Sequence, residues 1–80
     1  MISLEVLIPD FDMKLKAEAD ERISAVDFKN YIVRCLDEKY EKKLNNATLI
    51  DVENMEVIGE HNSLLDAGIT SGTRILFICE

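Results

Sequence analysis

Apolar and polar side chains alternate from the second residue onward. In "ISLEVLI", Ile2, Leu4, Val6 and Ile8 fall on one side of an extended chain and Ser3, Glu5 and Leu7 on the other, the period-two pattern of a strand with one buried face. Pro9-Asp10 interrupts it, because proline has no amide to give to a ladder. A second alternating run then places Phe11, Met13, Leu15 and Ala17 on one face. Two such runs joined at a proline predict a hairpin.

After "EADERI" the period lengthens. Ala25, Phe28, Ile32, Cys35 and Leu36 recur at spacings of three and four, with Tyr40 extending the stripe, as on the buried face of an amphipathic helix. Ser24 stands in the N-cap position, and Asp27 three residues later suits the positive end of the helix dipole. No Gly or Pro follows until beyond Leu44, Lys42 and Lys43 suit the C-terminal end, and Asn45-Asn46 tolerate the left-handed conformation that often follows a helix. The spacing therefore predicts one helix running to Leu44, with Asp27, Lys29, Arg34, Asp37, Glu38 and Lys42 on its solvated side.

"ATLIDV" predicts a third strand and "MEVI" a shorter fourth, closed by Gly59 and the polar loop "GEHNS". Ser63 to Asp66 has the length of one helical turn, and Gly68 can take the positive φ that ends it. Ser71-Gly72 turns the chain into "TRILFIC", a final strand with large apolar residues on both faces. Such a strand belongs in the middle of a sheet, parallel to the first. One helix covering one face of a mixed sheet of four to five strands is an α+β architecture, the β-grasp, in a single domain spanning residues 1–80.

Composition narrows the function classes. At 80 residues with 48% hydrophobic and 31% charged content, the chain has apolar surface enough for a compact core. The net charge of −7 is uneven: residues 20–43 hold six acids and six bases, which leaves ten acids against three bases elsewhere. An acidic surface of this kind repels phosphate backbones, so no nucleic-acid partner is expected. No stretch nears the roughly 18 apolar residues of a membrane span, and the amino end lacks the basic flank and cleavage site of a signal peptide. Membrane insertion is not expected, and the expected setting is the cytoplasm, with the protein a monomer.

Candidate chemistry is thin. His61 sits alone in a polar loop, without a second histidine or a nucleophile at a recognisable spacing. Asp51, Glu53 and Glu56 lack the glycine-centred loop and terminal Glu of a calcium site. "GITSG" has neither the strand-to-helix order nor the Lys-Ser/Thr pair of a phosphate loop, and is a turn. Cys35 and Cys79 form no CxxC pair and are expected as reduced structural thiols. No catalytic, metal or cofactor site is therefore expected. What remains is the sheet's outer face: if Ile75 and Phe77 face the helix, Leu76 and Ile78 face away from it, beside Ile50 of the neighbouring strand. Three contiguous aliphatics form an expected protein-binding patch, with Asp51, Glu53 and Glu56 at its margin.

The order of elements resembles ubiquitin-like domains over nearly the whole chain, with "SLLDAGI" similar to the segment that opens a one-turn helix before their last strand. That registration implies core positions at Leu4, Val6, Met13, Leu15, Phe28, Ile32, Leu49, Leu64, Ile69, Ile75 and Phe77, and an outer apolar patch of the kind most partners of ubiquitin use. A narrower resemblance lies in "LLDAGITSGTRILFI", where Asp66, Gly68, Ile69, Gly72 and Arg74 match D-x-G-I-x-x-G-x-R. This is similar to the small bacterial proteins of the YukD and EsaB kind that accompany type VII secretion systems. The resemblance implies a non-catalytic accessory or regulatory role, with a protein partner in the cytosolic part of the secretion ATPase or membrane component. Ubiquitin and the sulfur carriers of this fold end in a mobile Gly-Gly that is adenylated; "ICE" offers no such terminus, so modifier chemistry is not expected. An adaptor of an unrelated complex and a carrier deprived of its tail are the alternatives.

Overall fold

The alternation at the start of the chain forms the strand it predicts, β1 (Ile2–Ile8), with Ile2, Leu4, Val6 and Ile8 all buried. The computed structural model describes residues 1–79; Glu80, on which the expectation about an activated terminus bears, lies outside the described residues. Pro9–Phe11 makes one 3-10 turn, Asp12 closes it in the left-handed region (φ 49°), and its amide donates to the Pro9 carbonyl at 3.0 Å. Strand β2 (Met13–Ala19) then returns antiparallel to β1. Helix α1 spans Ala25–Cys35, and Ser24 caps it as expected, its Oγ accepting from the Asp27 amide at 3.2 Å.

The helix ends nine residues earlier than its stripe suggests. Leu36 is extended (φ −104°, ψ 167°), because Asp37 offers the backbone a competing partner: its carboxylate accepts from the Lys39 amide at 3.1 Å and caps a 3-10 turn, Glu38–Tyr40. The short helix α2 (Glu41–Leu44) follows, and neither Asn45 nor Asn46 is left-handed. Three assignments change with that break. Cys35, at the helix end, is exposed; Val33 is buried in its stead; and Lys29, expected on the solvated side, is buried. Its aliphatic stem runs along the core and its ammonium donates to the Asn45 carbonyl at 2.7 Å, satisfying a carbonyl at the negative end of α2. Lys29 thus joins the two helices.

The remaining strands are β3 (Thr48–Asp51), β4 (Glu56–Val57) and β5 (Arg74–Ile78), and the sheet order is β2-β1-β5-β3-β4. The last strand lies at the centre, parallel to β1 and antiparallel to β3, where its apolar residues on both faces predict it. Between β4 and β5 the expected single helical turn forms: the Ala67 amide donates to the Ser63 carbonyl at 3.1 Å, Ser63 Oγ accepts from the Asp66 amide at 3.0 Å, and the Leu64 and Leu65 amides bond back to Ile23 and Glu21. Gly68 (φ 77°) and Gly72 (φ 92°) supply the left-handed residues that steer this loop into β5. Among the described residues no helix is long and apolar enough to cross a membrane.

The core is a single layer between sheet and helix. Phe28 and Ile32 of α1 meet Ile75 and Phe77 of β5, all within 1% of complete burial, and the Phe28 and Phe77 rings pack edge to face at 6.4 Å. Every core position implied by the resemblance is buried except Met13 and Leu15, which are half-buried because β2 lies at the sheet edge, beyond the reach of the helix.

Two outcomes follow from this packing. Phe28→Ala should lower stability by about 3–5 kcal/mol, the usual cost of deleting a buried aromatic ring, seen as a large fall in Tm or loss of the folded state; an unchanged Tm contradicts the core. At Gly68 the space a methyl group would enter is open, so Gly68→Ala should cost only the left-handed backbone penalty, about 1–2 kcal/mol, measurable by urea denaturation.

Candidate functional site

The face of the sheet opposite α1 is fixed by the alternation on the central strands. Ile75 and Phe77 point into the core, so Leu76 and Ile78 point out; Leu49 points in, so Ile50 points out. The strand register then aligns these residues. Leu7 stands opposite Leu76, Leu76 opposite Ile50, and Ile50 opposite Val57, giving one aliphatic row across four strands. Neighbours facing one another in this way lie within about 5.5 Å at Cβ. Ile78 sits one pleat further along β5, opposite Thr48. The three residues singled out in the sequence, Ile50, Leu76 and Ile78, are all half-buried on this face.

Two members of the row were not assigned to the patch from the sequence. Leu7 had a signal, since it breaks the polar phase of β1. Val57, 67% exposed, had none, because a two-residue strand carries no readable alternation and its face depends on the β3–β4 register.

The charged margin differs from the expectation. Asp51 is 3% exposed and points to the helix side of the sheet, because its carboxylate is used to build the β3–β4 turn: it accepts from the Glu53 amide at 3.1 Å and from Asn54 Nδ2 at 2.9 Å. Glu56 lies opposite Asp51 and so shares its side. Only Glu53 borders the patch, and it binds Arg74, with Arg74 Nε donating to Glu53 Oε1 at 3.3 Å. On the same side, Glu5 stands opposite Arg74 and makes a second pair with Lys14 at 3.3 Å. The aliphatic row is thus bordered along one side by two adjoining ion pairs, not by free acids.

Elsewhere the groups with chemical potential stand apart. His61 is exposed in its loop. Cys35 and Cys79 are both free thiols, Cys35 exposed at the end of α1 and Cys79 half-buried against the core. Burial pushes the Cys79 thiol above its ordinary range, and the neighbouring Asp10 carboxylate adds to the shift. A thiol in such surroundings is protonated at neutral pH and is a poor nucleophile. A cleft of about 280 Å³ beside α1 is lined in part by Lys29, Ala47, Leu49 and Ile58, below the size of ordinary small-molecule sites, and its ammonium is committed to Asn45.

No family model matches the sequence, and no curated protein matches it. Solved structures do. The ubiquitin-like domain of Plasmodium falciparum Dsk2 superposes with a TM-score of 0.80 at 11% identity, covering 99% of this chain and 97% of that one. The ubiquitin-like domain of the Arabidopsis thaliana protein At2g32350 superposes with a TM-score of 0.79 at 16% identity, covering 98% of this chain and 76% of the other. At such identities the likeness is one of fold, and the fold is a ubiquitin-like β-grasp.

The thiol environments give a measurable contrast. Iodoacetamide at neutral pH should alkylate exposed Cys35 well before Cys79, and Cys79 should react appreciably only above the ordinary thiol range, since its thiolate is disfavoured by burial and by Asp10. Equal rates, read by peptide mass mapping across pH, would contradict the placement of Cys79.

Proposed function

We propose that this ubiquitin-like β-grasp domain is a non-catalytic interaction module that docks a protein partner on the outer face of its sheet. The observation that carries the reading is the row Leu7, Leu76, Ile50 and Val57, continuous across four strands and bordered along one side by paired charges. Scattered apolar residues on a surface need no explanation, but an aliphatic row with a polar rim has the anatomy of an interface core. Ile78 extends it along β5. The adjoining ion pairs on its border, Glu5–Lys14 and Glu53–Arg74, set register and exclude mismatched charge more than they add affinity.

The finer form of the proposal is an accessory or regulatory component of a bacterial type VII secretion system, working in the cytoplasm against the cytosolic part of the secretion ATPase or another membrane component. Its support is the segment "LLDAGITSGTRILFI", in which Asp66, Gly68, Ile69, Gly72 and Arg74 match the pattern of the YukD and EsaB kind. Part of that match has a purely structural reason, since Gly68 and Gly72 take positive φ and Ile69 is buried. Arg74 is held by Glu53, and exposed Asp66 remains for recognition.

The paired change Ile50→Ala with Leu76→Ala tests both levels. Side chains half-buried on an outer face should lower Tm modestly, whereas truncating the centre of an interface weakens binding by more than about 2 kcal/mol, or some thirtyfold. Retention of the membrane ATPase in affinity isolation from the native host should therefore fall, and export of the small WXG-type substrates with it. Intact binding by the folded variant would overturn the patch; binding to a complex unrelated to secretion that is lost in the variant would keep the patch and overturn the secretion assignment.

A further inference from the structure

The open edge of the sheet at β2 carries a pattern that the docking face does not explain. Among the described residues β2 pairs only with β1, so one side of a seven-residue strand is open, against two residues at the β4 edge. Which backbone groups face that opening follows from β1. The Ser3 carbonyl accepts from the Gly72 amide at 2.8 Å and the Glu5 amide donates to the Thr73 carbonyl at 3.1 Å, so the odd residues of β1 turn toward β5. Leu4 and Val6 therefore turn toward β2, where they stand opposite Ala17 and Leu15. Ala17 and Leu15 are thus the residues bonded to β1, and Lys14, Lys16 and Glu18 present their amides and carbonyls outward.

The side chains on these residues are ordered by sign. Lys14 and Lys16 precede Ala17, and Glu18 and Asp20 follow it. All four are exposed, and among the described residues neither Lys16 nor Glu18 has an ion-pair partner. Lysines on an edge strand ordinarily deter pairing. Here the charge is antisymmetric about Ala17, so a second copy running antiparallel meets the opposite sign at each charged position.

We infer that β2 is a self-pairing edge, and that two copies of this chain associate through antiparallel β2 strands about a two-fold axis at Ala17. In that register Lys16 lies opposite Glu18 of the second copy, and Glu18 opposite its Lys16, in the pairs that exchange backbone hydrogen bonds. Ala17 meets Ala17 in the close, non-bonded pair, where a small residue fits. Lys14 and Asp20 face each other just beyond, if each releases its present partner, Glu5 or Arg22. Other registers are worse. Centring on Lys16 or on Glu18 sets that residue against itself, and a slip of one residue turns bonded amides away from the open edge and exchanges the faces. The half-buried Leu15 and Ala17 on the helix side gain cover from the second copy. Two five-stranded sheets become one, with both helices on one side and both aliphatic rows on the other. This departs from the monomer expected from the sequence and stands independently of the proposed docking face.

Sedimentation equilibrium on the full chain tests the inference directly. The mass should rise from 9.1 kDa toward twice that value with concentration, and the Lys16 and Glu18 amides should gain hydrogen-exchange protection as it does. Lys16→Glu and Glu18→Lys each place like charges face to face, and each should weaken association by at least about tenfold with Tm little changed, because both side chains are exposed. Mixed in equal amounts, the two variants should form a heterodimer, since every facing pair is again of opposite sign. A chain that stays monomeric to millimolar concentration, a dimer indifferent to Lys16→Glu, or a mixture that fails to associate overturns the inference; in the first case the edge is left for a strand of a different protein.

Discussion

The parallel pairing of β1 with β5 is the constraint on which the rest of the structure depends. It places two apolar strands side by side at the centre of the sheet, with Glu5 opposite Arg74 and Leu7 opposite Leu76. Everything on the helix side follows from the residues between them in phase: Val6 and Ile75 are fully buried and give α1 a floor on which Phe28 and Ile32 rest. Everything on the outer face follows from the same register, because the pairing that buries Ile75 brings Leu76 beside Leu7. One set of backbone hydrogen bonds thus determines both the core and the surface that the domain presents.

That double role explains why so much was legible. Burial alternates residue by residue along β1, β3 and β5, so once Ile75, Phe77 and Leu49 are set toward the helix the outward placement of Ile50, Leu76 and Ile78 follows before any register is known. Ser24, Gly68 and Gly72 were legible for a different reason: a cap and two left-handed turns each demand a narrow choice of residue. The losses came where a side chain serves a local hydrogen bond. Asp37 terminates α1 by capping the next turn, a choice that competes with an unbroken apolar stripe and cannot be weighed without knowing what the stripe packs on. Asp51 turns inward to hold the β3–β4 turn, although an acid between Ile50 and Val52 suggests a solvated position. Lys29 hides its stem and reaches a helix end that exists only because α1 stops early.

The fold itself says little about activity. A ubiquitin-like β-grasp is a scaffold on which many unrelated partners are met, and its similarity to domains at 11% and 16% identity carries no partner with it. What is particular to this chain is the distribution of charge. On the outer face Glu5–Lys14 and Glu53–Arg74 are paired beside the aliphatic row, whereas at the β2 edge Lys16 and Glu18 are left without an ion-pair partner among the described residues, in a series sorted by sign. The two surfaces are built on different principles, burial on one and ordered charge on the other, and they meet at Lys14.

The central pairing also sets the order in which the molecule can assemble. Glu5 and Arg74 are neighbours in space but lie 69 residues apart in sequence, counted from the paired positions, and closing a loop of that length costs about 4 kcal/mol of chain entropy before any contact repays it. The β1–β2 hairpin closes a far shorter loop and forms on a faster timescale. During that interval the edge of β1 that will receive β5 is uncovered. The ribosome delivers β5 last of all the strands, so each new chain passes through a period in which the seat of its central strand is vacant and any extended apolar segment nearby can compete for it.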